Sequence, residues 1–181
     1  MLHSIKEDLF RHVGDYSFKK FLRGYFLIPG FRYMVWIRLS KYYKNNKIAF
    51  FFIKLVLRKL SYKFGIQIPS ATQIGRGFYI GHFNEIIVNG SAIIGDNVNI
   101  SQGVTIGQVN RGLKKGAPII GNEVYIGPGA KIIGKIVIGN NVAIGANAVV
   151  TSDIPENSVA AGVPARVISD KGSEGYVNRK V

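Results

Sequence analysis

Between Ile68 and Val150 the chain returns to an aliphatic residue about every sixth position. The series runs through Ile68, Ile74, Ile80 and Ile86, then Ile94, Ile100 and Ile106, then Ile120, Ile126, Ile132, Ile138, Ile144 and Val150. Neither an α-helix nor a half-buried strand has that period. Glycine follows the aliphatic residue at positions 75, 81, 95, 107, 121, 127, 139 and 145, and β-branched runs such as Val104-Thr105-Ile106 alternate with Asn- and Gly-rich corners. Such a beat predicts a mainly β chain folded as a parallel β-helix. Each hexad supplies one short strand and one corner, three hexads close a triangular coil, and coils stack at about 4.8 Å, the strand-pairing distance. The aliphatic side chains then fill the prism.

The beat breaks twice. Two extra residues separate Ile86 from Ile94, and residues 107–118, Gly-Gln-Val-Asn-Arg-Gly-Leu-Lys-Lys-Gly-Ala-Pro, are too many for one corner. That stretch is expected to be an excursion loop, the kind of insertion on which repeat proteins carry function.

Residues 1–64 follow another pattern. They hold 14 of the 24 Lys and Arg and 16 of the 21 aromatics, and no acidic residue occurs from Tyr16 to Asn84. Dense Phe, Tyr, Leu and Ile with interspersed cations, interrupted at Pro29-Gly30, predict a short α-helical region. The division expected is 1–64 basic, aromatic and helical; 65–168 β-helix; and 169–181 a polar, loosely held tail. The run Ile48-Ala49-Phe50-Phe51-Phe52-Ile53 stops at Lys54, far short of the roughly 20 apolar residues of a membrane span. A basic aromatic surface of this kind suits a membrane face. Trp36, Phe51 and Phe52 are the expected anchors, and nucleic acid fits poorly because the cations are mixed with large aliphatics. The chain has no cysteine, which excludes disulfides, thiolate metal sites and a cysteine acyl-enzyme. Its first residues lack the features of a signal peptide. A cytoplasmic location is expected, with peripheral attachment to the inner face of the membrane through residues 1–64.

Several stretches together resemble the hexapeptide-repeat acyltransferases, in the serine acetyltransferase-like branch that includes capsule and exopolysaccharide O-acetyltransferases. They are Ile74-Gly75-Arg76-Gly77, Gly81-His82, Asn99 to Gly107, Ile126-Gly127-Pro128-Gly129-Ala130, and the ending Ala160-Ala161-Gly162-Val163-Pro164-Ala165-Arg166. The resemblance implies a left-handed coil, a homotrimer, and acetyl-CoA as co-substrate in the groove between neighbouring β-helices, with no permanently bound cofactor. It also implies that His82 deprotonates the acceptor hydroxyl. By the same resemblance Gly107 or Gln108, Gly127 or Pro128, and Ala146 would offer backbone groups to the pantetheine arm and thioester, and Thr151 and Arg166 would sit near the distal end of CoA.

Moving an acetyl group from a thioester to an alcohol needs a base, donors for the developing oxyanion and a clamp for both substrates. Of His3, His12 and His82, only His82 lies in the repeat region, after a repeat glycine and before the excursion loop. Imidazole is the side chain that ordinarily titrates near neutral pH, so His82 is the expected general base, against the plainer reading of a polar corner residue. No second histidine or cysteine is at hand for a metal there. Ser101 and Thr105 read as strand and corner fillers, so direct transfer is expected. Arg166 either caps the last coil or binds a phosphate. Arg111, Lys114 and Lys115 make the excursion loop cationic, either simply solvated or facing an anion.

Three positions depart from the serine-specific members of the family. Gly81 and Gln67 stand where those enzymes keep aspartates, and Ala117 stands where they keep a loop histidine before proline. An amino acid needs charged partners for its ammonium and carboxylate, so these losses point to a saccharide hydroxyl acceptor in surface-polysaccharide synthesis. Serine O-acetylation for cysteine synthesis is the enzymatic alternative, and a non-catalytic scaffold is the other. With both aspartates replaced, Glu85, Asn84 or a backbone carbonyl is left to orient His82.

Overall fold

The computed structural model describes residues 2–181. Four helices come first: α1 (Leu2–Val13), α2 (Phe18–Leu27), α3 (Pro29–Tyr42) and α4 (Lys47–Phe64). Pro29 opens α3, where its missing N–H is one the helix would leave unpaired anyway. Asn46 caps α4 by accepting from the Ala49 N–H at 3.0 Å. Gly65 ends it in the left-handed conformation, at φ 61°. The face of α4 that carries Ile53, Leu57, Leu60 and Phe64 is buried, the three-to-four spacing of a single helical stripe.

The rest is a left-handed parallel β-helix with three faces. The first stacks β1 (Ile66–Gln67), β4 (Ile86–Val88), β7 (Thr105–Gly107), β10 (Lys131–Ile133) and β13 (Val149–Val150). The second stacks β2 (Gln73–Ile74), β5 (Ile93–Ile94), β8 (Ile119–Ile120) and β11 (Val137–Ile138). The third stacks β3 (Tyr79–Ile80), β6 (Asn99–Ile100), β9 (Tyr125–Ile126), β12 (Ala143–Ile144) and β14 (Val159–Gly162). β15 (Ala165–Ser169) then turns back antiparallel on β14. The aliphatic residues of the six-residue beat are all buried inside the prism.

The first break in the beat lies elsewhere than the aliphatic spacing suggests. Ile80 pairs with Ile100, whereas Val88 pairs with Ile106 and Ile87 with Thr105. The two extra residues therefore lie before Ile86, in the corner 81–85, and Val88 holds the repeat position beside Ile68 and six residues ahead of Ile94. Ile86 is equally buried, which is why it passes for the repeat residue. The longer break is the expected excursion loop, a small hairpin closed by two backbone hydrogen bonds between Val109 and Gly116.

The first coil of a β-helix has backbone groups on one side with no further coil to bond, and buried unpaired groups are costly. α1 and α3 supply the partners. Arg38 donates to the carbonyls of Ile74 and Gly75, Asp8 accepts from the Phe78 N–H, Arg11 donates to the Gly77 carbonyl, and the Tyr33 hydroxyl bonds Ile68. Asp8 and Arg38 also pair with each other through two hydrogen bonds, of 2.8 and 3.0 Å. The helical region is thus a cap on the prism.

Two expectations need correction. The polar tail is held: Tyr176 stacks on Tyr125 with ring centroids 4.4 Å apart, Ser173 bonds Glu123 and Asn141, and Val177 is buried. Trp36 is no free anchor, because its indole donates to the Tyr25 hydroxyl and its ring is half-buried. Among the described residues no helix is long and apolar enough to cross a membrane.

Candidate active site

Three residues normally turn the chain from the third face to the first, as at Ser101-Gln102-Gly103 and Gly127-Pro128-Gly129. At the first coil this corner has five, Gly81 to Glu85, and all are exposed. The lengthened corner bows outward and carries His82. It is pinned at its base. Gly65 accepts from the Ile86 N–H at 3.0 Å, Asn84 accepts from the Gly103 N–H at 3.1 Å, and the Phe83 ring lies edge-on to Phe64. Asn84 and Glu85 both take positive φ, 93° and 54°, a conformation costly for residues with a Cβ. Among the described residues the His82 ring has no hydrogen-bond partner, so neither Glu85, Asn84 nor a carbonyl orients it within one chain.

The register stacks Gln102, Pro128 and Ala146 beneath His82 along one edge of the first face. On that edge the Gln102 Oε1 is buried without a hydrogen-bond partner, and Lys131 donates to the Gly103 carbonyl. Gly127 cannot act as a donor, because its N–H is committed to the Ile144 carbonyl at 2.8 Å. Pro128 has no N–H, and its carbonyl already accepts from Asn147. Parallel stacking uses these groups coil by coil, a demand that a glycine in the sequence does not reveal. Ala146 is exposed, and no backbone bond engages its N–H or carbonyl among the described residues.

Gly107, Gln108 and Thr151 lie on the opposite edge of the same face. Gly107 pairs with Ile133, and Ile132 with Val150, which puts Thr151 next in that column. The excursion loop folds over this edge, and Lys114 donates to the Thr151 carbonyl. Arg166 stands apart on β15, exposed, its guanidinium turned to the Ala165 carbonyl. One chain therefore splits the expected residues between two edges.

Two of the three departing positions fit their surroundings. A Cβ at Gly81 would lie 3.0 Å from the Tyr79 ring, so an aspartate there would require the ring to move. Ala117 packs against the core, and Gln67 is exposed beside Ile87.

The family model described as bacterial transferase hexapeptide (six repeats) matches residues 117–152. A serine acetyltransferase of Helicobacter pylori is 40% identical over 144 residues, covering 79% of this chain and 83% of that protein. The crystal structure of a serine acetyltransferase from Brucella abortus superposes with a TM-score of 0.80 at 31% identity, over 94% of this chain and 69% of that one. The same enzyme solved in complex with coenzyme A superposes at 0.78 and 30% identity, over 94% and 67%. These likenesses overturn the saccharide acceptor and the role in surface-polysaccharide synthesis. The expectation rests on three side chains and the likeness spans most of two proteins, and lost side chains at a site can be replaced by neighbours. The chain belongs to the serine acetyltransferase family of hexapeptide-repeat acyltransferases.

Proposed function

We propose that this protein transfers the acetyl group of acetyl-CoA to the hydroxyl of L-serine, with His82 as general base. The likeness to the Helicobacter pylori enzyme over 83% of that protein carries the acceptor. The exposed, lengthened corner supports the role of His82. In the step proposed, a neutral His82 imidazole takes the hydroxyl proton as the serine oxygen attacks the thioester carbonyl. The tetrahedral intermediate then expels the CoA thiolate, which recovers the proton from the imidazolium. The Ala146 N–H, engaged in no backbone bond among the described residues, is a donor along the His82 edge for thioester or pantetheine. Arg111 and Lys115 of the excursion loop are the cations for CoA phosphates or the serine carboxylate. Glu85, the single carboxylate of the corner, is the candidate partner for the ammonium group.

The split between two edges favours a homotrimer. One copy would contribute the His82 edge and the next the edge with Gly107, Gln108, Thr151 and the excursion loop, with CoA between them.

CoA release measured with L-serine and with a panel of other alcohols tests the proposal. L-serine should give the highest kcat/KM, and His82→Ala should lower turnover by roughly two to four orders of magnitude with acetyl-CoA binding retained. Absence of serine-dependent CoA release defeats the acceptor assignment. Near-normal turnover in a folded His82→Ala protein defeats the base assignment.

A further inference from the structure

α4 has two apolar stripes. Opposite the buried Ile53, Leu57, Leu60 and Phe64 lie Ile48, Phe52, Leu55 and Tyr62, which recur at spacings of four, three and seven and are exposed. At 100° per residue these four fall on one outward face. On that wheel Phe51, 58% exposed, and then Arg58 border the stripe on one side with Lys54 further round, Lys63 borders it on the other, and Lys59 lies inside it. α2 repeats the arrangement, with exposed Phe18, Leu22 and Phe26 at spacings of four beside Lys19 and Arg23. Arg32 of α3 reaches the end of each helix, its guanidinium lying within about 6 Å of both the Phe26 and Phe64 rings.

A stripe of large side chains left in water is an interaction surface, and its rim names the partner. No carboxylate occurs between Tyr16 and Asn84, so a second copy of this face would meet like charge. A nucleic acid would satisfy the cations and leave the aromatic and aliphatic side chains in water. An apolar stripe between rows of Lys and Arg is the geometry of a helix lying in the head-group region of an anionic bilayer.

We propose that α4, with α2 beside it, docks this protein flat on anionic membrane surfaces. α4 is about 27 Å long and lies parallel to the bilayer, with Phe51, Phe52 and Leu55 among the acyl chains and Lys54, Arg58 and Lys63 at the phosphates. This reading rests on the helices alone and is independent of the acceptor.

Flotation of the full chain with phosphatidylcholine vesicles, with and without phosphatidylglycerol, is the test. Enrichment is expected on the anionic vesicles at low salt, falling at about 0.5 M salt, where the screening length shrinks to ~4 Å. Combined Phe51→Ser, Phe52→Ser and Leu55→Ser should reduce the bound fraction about tenfold or more, with transferase activity on soluble substrates and the sedimenting mass unchanged. Combined Lys54→Gln, Arg58→Gln and Lys63→Gln should abolish the preference for anionic over neutral vesicles. Failure to float, or equal binding to both vesicles by the unaltered protein, overturns the proposal. A drop in the oligomer mass of the serine variant also overturns it, because the stripe would then be a contact between copies.

Discussion

His12 and His82 differ in surroundings, and the difference decides what each can do. His82 stands in solvent on its corner. His12, on α1 of the helical cap, faces the prism, its Nδ1 2.7 Å from the Asp8 carbonyl, its ring 4.5 Å from Tyr79, and its Nε2 sealed from water. Burial lowers its pKa to about 4, against a smaller opposing effect of its backbone hydrogen bonds. An unfolded histidine titrates near 6.5, so the unfolded chain binds the proton first as pH falls. The contribution of neutral His12 is complete above about pH 6.5 and is lost between there and about pH 4, by up to ~3 kcal/mol. Denaturant titrations across that window should show the decline, and His12→Phe should remove most of it. Composition does not separate these two histidines. Their positions in the repeat pattern do, and that is how His82 could be singled out from the sequence while the sealed environment of His12 could not.

At the scale of elements, the corner 81–85 is joined to the end of α4. A Cβ on Gly65 would lie 2.4 Å from the Asn84 Oδ1 and 3.1 Å from the Glu85 nitrogen, and Gly65 itself needs a left-handed backbone. Gly65→Ala should therefore cost about 1–2 kcal/mol of stability. If His82 is the base, it should also lower kcat by roughly tenfold or more, since small displacements of a reacting group are expensive. Acetyl-CoA affinity should stay the same, and calorimetry with steady-state kinetics separates the two effects. The repeat made the coils legible in the sequence, because buried aliphatic residues recur only if the backbone returns. The insertion falls one corner earlier than the aliphatic spacing suggests, because Ile86 and Val88, two residues apart, are both apolar and both buried. Only the strand register distinguishes them, although the six-residue step from Val88 to Ile94 was there to be read. The tail was missed for a different reason. Its hold comes from side chains bonding backbone, such as Ser173 to Glu123, and such contacts leave no periodic trace.

For the whole molecule, the excess of buried polar groups at the helical end follows from the prism having to stop there. Replacing Arg38 with methionine should destabilise the protein by about 3–5 kcal/mol in chemical denaturation, because Asp8 is then left buried without its cation and the carbonyls of Ile74 and Gly75 lose their donor. The acceptor is the part of the function least legible in individual residues. Three isolated side chains do not define specificity, because other positions can supply the charges that an amino acid needs. The reversal of β15 has a consequence of its own. A stack of parallel coils is a template that could take on one more layer without end, as a fibre does. By running backward along β14, β15 fills the last row of donors and acceptors on the third face with a strand whose register no incoming coil can copy. With α1 and α3 closing the other end, the prism is a finite body of five layers rather than a unit of a filament.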